Sequence, residues 1–134
     1  MNALPILQAF VLADHIYTDA ATGKRIVAGT FGHISANEFP AQHPPSAAFV
    51  MLTEFVGSAP LQLRFVRLRD NFVIMQSGEI NIECDDPLVV LDMAIAIPAI
   101  PLEEPGLYCF ECYVDGNLIG SVRLTAALLS AREE

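Results

Sequence analysis

Apolar and polar residues alternate along most of the chain with a period of two, the spacing of strands that bury one face. The clearest case runs from Glu104 to Leu129. Tyr108, Phe110, Cys112 and Val114 share one parity there, and Cys109, Glu111, Tyr113 and Asp115 share the other. Pro105-Gly106 opens this run, and Asp115-Gly116-Asn117 separates it from a second, in which Leu118, Val122, Leu124 and Leu128 share a parity. Asp-Gly between two alternating runs predicts a tight hairpin, because the turn needs positive φ and glycine supplies it without steric cost.

The same reading extends upstream. Ile6 to Ala13 is a strand with apolar residues on both parities (Ile6, Phe10 and Leu12 against Leu7 and Val11), as expected where both faces are covered. A turn at Asp19–Gly23 leads into a second strand, Lys24–Ser35, whose Gly29 and Gly32 signal a bulge or a close backbone approach. Ala36–Ser46, stiffened by Pro40, Pro44 and Pro45, reads as the longest loop, crossing between sheets or forming a rigid arm. Ala47–Val56 is the third strand and Leu61–Asp70 the fourth. In the fourth, the parity of Leu61, Leu63 and Phe65 gives way to that of Val66 and Leu68, which one extra residue near Phe65-Val66 reconciles. Phe72–Glu83 follows, then an Asp85-Asp86-Pro87 turn. Leu88–Ile97 is the most apolar strand. Val89, Leu91, Met93, Ile95 and Ile97 make its bulky core face, and Leu88, Val90, Asp92, Ala94 and Ala96 a flatter one. Eight strands, short regular turns and no convincing helix predict an all-β single domain. The expected architecture is an antiparallel β-sandwich of Ig-like or C2-like kind, with a barrel as the second choice. The tail, Thr125–Glu134, reads as strand passing into disorder, with a short helix as the alternative.

Composition changes this picture in one respect. The 134 residues suit one domain, but 53% are hydrophobic and only 17% charged, below the usual ~25% charged. Too few charges remain to cover the outside, so some apolar surface is expected to meet a partner or a second copy. The net charge of −9 would repel a phosphate backbone, so nucleic acid and anionic membrane surfaces are disfavoured. An odd count of three cysteines argues against a disulfide framework and for a reducing compartment. The N-terminal ALPILQAFVLA lacks the basic start of a signal peptide, and Pro98 and Pro101 interrupt the longest apolar stretch, so a cytoplasmic protein is expected.

The reactive residue types form no strong constellation. Cys109 and Cys112 match C-x-x-C, but on a strand their odd separation sends them to opposite faces, unlike the helix N-terminal pair of a redox enzyme. Asp14, His15 and His33 could assemble at strand ends as a small metal-dependent hydrolase site, though no His-x-His spacing supports it. Turn carboxylates, Asp14, Asp19, Asp85 and Asp86, could converge on a small ligand or Ca²⁺, yet the D-x-D-x-D spacing is absent and Asp is a turn former in its own right. No G-x-S-x-G or phosphate-cradling glycine loop occurs. No cofactor is implied.

Several short motifs are nevertheless characteristic. They are Ala13-Asp14, Thr22-Gly23-Lys24, the run GTFGHI at 29–34, Phe39-Pro40-x-x-His43-Pro44, and Glu104-Pro105-Gly106-x-Tyr108-x-Phe110 leading to Val114-Asp115-Gly116. With these the chain resembles, over nearly its whole length, a family of short bacterial β-sandwich proteins of unknown function. The resemblance implies a stand-alone domain and transfers no catalytic residue.

The functional expectation is a non-enzymatic protein-binding or assembly module that docks or self-associates through an apolar sheet face or an edge strand. Its candidate interface is Leu88, Val90, Ala94, Ala96, Leu7 and Val11.

Overall fold

In a computed structural model, which describes residues 4–129, the alternating runs become twelve strands, with no helix among the described residues. In chain order they are β1 (Ile6–Thr18), β2 (Arg25–Thr30), β3 (His33–Ala36), β4 (Ala41–His43), β5 (Ser46–Thr53) and β6 (Gly57–Arg67). There follow β7 (Phe72–Gln76), β8 (Ile80–Cys84), β9 (Leu91–Ile97), β10 (Ile100–Leu102), β11 (Gly106–Val114) and β12 (Asn117–Leu128). One sheet has the order β2-β1-β5-β9. The other runs β3-β12-β11-β6-β7, with β8 also paired to β6. Every pairing is antiparallel except β3 beside β12, and β4 with β10 makes a separate short ladder. The fold is the expected β-sandwich. Leu12, Val50, Leu52, Ile95 and Ile97 of the first sheet pack against Leu61, Leu63, Phe65, Tyr108, Phe110, Cys112, Val114 and Leu124 of the second.

The strand count exceeds eight for identifiable reasons. The predicted strand Lys24–Ser35 changes sheets at Phe31-Gly32, so its halves are β2 and β3. Residues 77–79 interrupt the run Phe72–Glu83, and two proline-rich stretches supply the short strands β4 and β10. Pro101 is tolerated opposite Gln42 because that ladder has only two strands.

Bulges account for the remaining departures. Gln8 is extra between Leu7, which pairs with Leu52, and Ala9, which pairs with Met51, so Leu7 faces the core. It lies over Gly120 of β12, where a Cβ would collide with the Leu7 Cδ2 methyl. Leu7 therefore belongs to the seam joining the two sheets, not to an outer interface. Ile119 is extra in β12, which turns Leu118 out of the parity of Leu124 and leaves it exposed. The irregularity expected at Phe65-Val66 is present, but the additional residue is Ile74 on the neighbouring β7.

The Asp115-Gly116 hairpin closes as expected, with φ of 52° and 78° at its two central residues. Gly29, at φ 75°, sits where a Cβ would stand 2.7 Å from Asp14 Oδ2. At the start of β11, the buried Tyr108 hydroxyl donates to the Glu104 carbonyl at 2.6 Å, an arrangement like the tyrosine corner of Greek-key sandwiches. β12 ends at Leu128, and the tail expectation for residues 130–134 lies outside the described residues.

Candidate functional site

The two long sides of the sandwich differ. Leu7 over Gly120 closes one of them. On the other, β9 is the last strand of its sheet, and β7 and β8 end the facing one, so two edges without a partner among the described residues lie opposite each other. Ser77 creates the gap between β7 and β8. Its backbone N–H still donates to Leu63 O at 2.9 Å, but the Leu63 N–H is met by the Ser77 hydroxyl oxygen at 2.9 Å instead of by a carbonyl. The hydroxyl in turn donates to Gly78 O at 2.8 Å, and the Gln62 amide donates to Ser77 O at 3.0 Å. This local substitution of side chain for backbone lifts residues 77–79 off the ladder.

Two adjoining cavities occupy the opening. One, of about 340 Å³, reaches between the sheets to Phe65, Met75, Ile95, Ile97 and Phe110. The other, of about 380 Å³, runs outward past Gly78, Glu79, Ile80, Ala94 and Ala96. Among the described residues neither has a basic one in its lining, and Glu79 stands at the mouth. Beyond it, Glu83 and Asp85 border a shallow pocket beside Gly57 and Ser58. β9 itself carries none of the usual guards of an exposed edge. Its register with β5 runs unshifted from Ile97 to Leu91, it has no internal Pro or Lys, and its one charge is Asp92.

The outer face of the β9 sheet is built in rows of small and apolar residues. Ala13, Ala47 and Ala96 form one row, Val11, Phe49 and Ala94 the next, and Ala9, Met51 and Asp92 a third. Ala94 and Ala96 are exposed, Val11 is half-buried, and Ala13 has no exposed surface. An ion pair shows how near the β1–β2 hairpin comes to this face. Arg25 Nε lies 3.3 Å from Asp92 Oδ1, although Arg25 pairs with Thr18 and Asp92 stands level with Ala9, roughly 30 Å away along a straight β1 at ~3.3 Å per residue. The contact can form only if the β1–β2 hairpin bends back toward β9. The face that the sequence suggests as a flat interface is thus partly occupied by the chain's own hairpin, and its free portion is the strip at β9.

Two of the expected interface residues lie elsewhere. The strand begins at Leu91 rather than Leu88, because the Asp86 carboxylate accepts the Leu88 N–H at 2.9 Å and its carbonyl accepts the Val89 N–H at 3.1 Å. Leu88 and Val90 therefore sit in an exposed turn, at 84% and 46% exposure. The Ser77-Gly78 break escaped the sequence reading. A Ser-Gly dipeptide inside an alternating run was the available signal.

The other candidates are not brought together. Asp14 has His43 as its neighbour, with Nε2 3.7 Å from Oδ1, and His43 stacks on Phe31 at 4.3 Å. His15 stacks on Tyr17 in the first sheet, while His33, in the second, contacts Ser35. Among the described residues no group of three or more His, Cys, Asp or Glu is placed to hold a metal ion. Asp19 caps its own turn by accepting the Ala21 N–H, as Asp86 does at Leu88. Cys109 and Cys112 lie on opposite faces, both buried, and burial pushes the Cys112 thiol up to about 12. Neither is a nucleophile at neutral pH. Among the described residues no helix is long and apolar enough to cross a membrane.

The profile of a family of unknown function (DUF6941) matches residues 8–127. The chain belongs to this family. No curated protein matches it. Among solved structures, it is similar to an immunoglobulin-like protein from Pseudomonas aeruginosa, at 10% identity and a TM-score of 0.42, over 92% of this chain and 97% of that one. In this member of the family, the motif residues noted in the sequence serve architecture. Thr22-Gly23-Lys24 makes the β1–β2 turn, Asp115-Gly116 the β11–β12 turn, and Glu104 receives the Tyr108 hydroxyl.

Proposed function

We propose that the protein is a non-enzymatic binding or assembly module whose working surface is the unpaired edge of β9 with the small-residue strip beside it. The observation that carries this reading is the opening between β9 and the β7–β8 break. There an unguarded strand edge, with no second ladder partner among the described residues, borders an apolar cleft. A strand added to such an edge gains main-chain hydrogen bonds along its length, while alternate side chains enter the cleft. The cytoplasmic setting expected from the cysteine count fits the three free thiols.

Hydrogen exchange over residues 91–97, read with and without the bound protein, tests the reading. Engagement of the edge slows exchange across this segment, and dilution of a self-associated form restores it. The reading fails if the protein sediments as a monomer at micromolar concentration and exchange in β9 is unaltered by every protein that purifies with it.

A further inference from the structure

We infer that the open side receives an extended segment of another protein, in which apolar residues alternate and basic residues flank them. It binds as an added strand on β9. This rests on the reading that the β9 edge is the working surface, and it specifies what occupies it.

Three features select this occupant. First, the cleft is bordered along β9 by backbone groups that continue a ladder, and only another extended backbone meets them in register. A small apolar molecule would leave them without partners. Second, the inner wall is apolar and deep enough to take side chains, with Met75, Ile95 and Phe110 around it, whereas the outer side of β9 offers Ala94 and Ala96 and, at one end, Asp92 held by Arg25. An incoming strand therefore presents larger apolar residues inward and is indifferent to its outward ones. Third, the rim is acidic. Glu79 stands at the mouth, Glu83 and Asp85 lie beyond the end of the cleft, and no basic residue among the described ones lines either cavity. Of the cations on neighbouring strands, Arg25 is already paired with Asp92, and Arg64, opposite Gln76, lies over the Tyr113 ring.

The same rim argues against a second copy. Two β9 strands paired antiparallel about Ala94 would bring both sets of Glu79, Glu83 and Asp85 toward one seam, on chains that each carry −9. Like charges so placed oppose association. Flanking lysines on a different chain would be favoured by the same field.

The test uses the full chain and two synthetic peptides of alternating valine and threonine, one with a pair of lysines at each end and one with a pair of glutamates. Binding is read by fluorescence anisotropy at low salt. Gly78 has open space around its Cβ position, so Gly78→Trp fills the mouth without straining the backbone, and an unchanged melting temperature verifies its fold. The lysine-flanked peptide is expected to bind the wild type, to slow exchange over residues 91–97, and to lose measurable binding to Gly78→Trp. Glu79→Lys should weaken it by about two- to five-fold, the worth of one exposed ion pair, and should improve the glutamate-flanked peptide. Equal binding of both peptides to the wild type would overturn the basic partner while leaving the β9 edge as the working surface. Absence of binding by either peptide overturns the proposal. A dimer that Gly78→Trp dissociates would assign the site to a second copy, and an apolar dye displaced by Gly78→Trp, with neither peptide bound, would assign it to a small molecule.

Discussion

The contact of Leu7 with Gly120 can be tested by adding one carbon atom. Gly120 lies opposite Cys112 at the seam between the sheets, and a Cβ built on it overlaps the Leu7 Cδ2 methyl while meeting nothing else closer than Leu7's own Cγ and Cβ. Overpacking of this kind costs about 1–3 kcal/mol. Replacing glycine by alanine also restricts the unfolded chain, which stabilises by about 0.4–1 kcal/mol. Gly120→Ala should therefore destabilise by about 1–2 kcal/mol, lowering the melting temperature by about 4–8 °C. Leu7→Ala should cost about 2 kcal/mol, the low end for a leucine, because this one is only half-buried. In the Leu7→Ala background the obstructing methyl is gone, and Gly120→Ala should become neutral or stabilising by about 0.5 kcal/mol. The chain has no tryptophan, so equilibrium urea unfolding is best followed by far-UV circular dichroism. The expected coupling between the two sites is about 2 kcal/mol. A coupling below about 0.5 kcal/mol, with Gly120→Ala equally costly in both backgrounds, would refute the closed seam and with it the contrast between a shut and an open side.

Other outcomes follow from single groups. Tyr108→Phe removes the donor to Glu104 O and should cost about 1–2 kcal/mol in urea unfolding, with little change in the m-value. Ser46 buries a hydroxyl without a partner among the described residues, so Ser46→Ala should be neutral or stabilising by up to about 1 kcal/mol in the same assay. A maleimide reagent should modify only the half-buried Cys84 in the folded protein, with Cys109 and Cys112 reacting after unfolding, as mass spectrometry of labelled peptides would show. Asp70 accepts two bonds from the Arg67 guanidinium, at 3.0 and 2.8 Å, which hold its carboxyl down from 3.8 to about 2. A carboxyl lowered in the folded state stabilises above its unfolded pKa and loses that contribution as pH falls through the folded value, so the window lies between about pH 4 and pH 2. Urea midpoints across that window should fall less steeply for Asp70→Asn than for the wild type.

The alternation legible in the sequence translates directly into burial where strands run without interruption. Tyr108, Phe110, Cys112 and Val114 are all core, and Ile95 and Ile97 face inward opposite exposed Ala94 and Ala96. The Asp115-Gly116 turn was legible because its chemistry is local. What parity could not reveal is where a ladder gains a residue. Gln8, Ile74 and Ile119 each shift the pairing by one, and each shift inverts the faces beyond it. Leu7 was misplaced for this reason, and so was Leu118. Nor could parity distinguish a strand from a turn built of the same apolar residues. Leu88 to Val90 continue the alternation of β9, but the Asp86 carboxylate bonded to the Leu88 N–H holds them in a turn.

These shifts also alter what the apolar surplus means. Exposed leucines and aromatics are scattered over the β1–β2 hairpin (Tyr17, Ile26), the start of β7 (Phe72, Val73), the turn at Leu88 and the ends of β12 (Leu118, Leu128). Scattered apolar side chains of this kind are ordinary on a protein surface. The open side is distinguished by a different property. Ala94 and Ala96 contribute little apolar area, yet they flank a backbone edge with no partner among the described residues, and that edge faces a cleft made by the Ser77 break. A water-exposed leucine is a weak determinant of binding, because it lacks direction. An unpaired ladder beside an apolar wall fixes the orientation, register and side-chain spacing of whatever joins it. On that argument Ser77 and Gly78, which interrupt the ladder and open the cleft beside β9, matter more to the proposed binding edge than the bulky residues that first draw the eye.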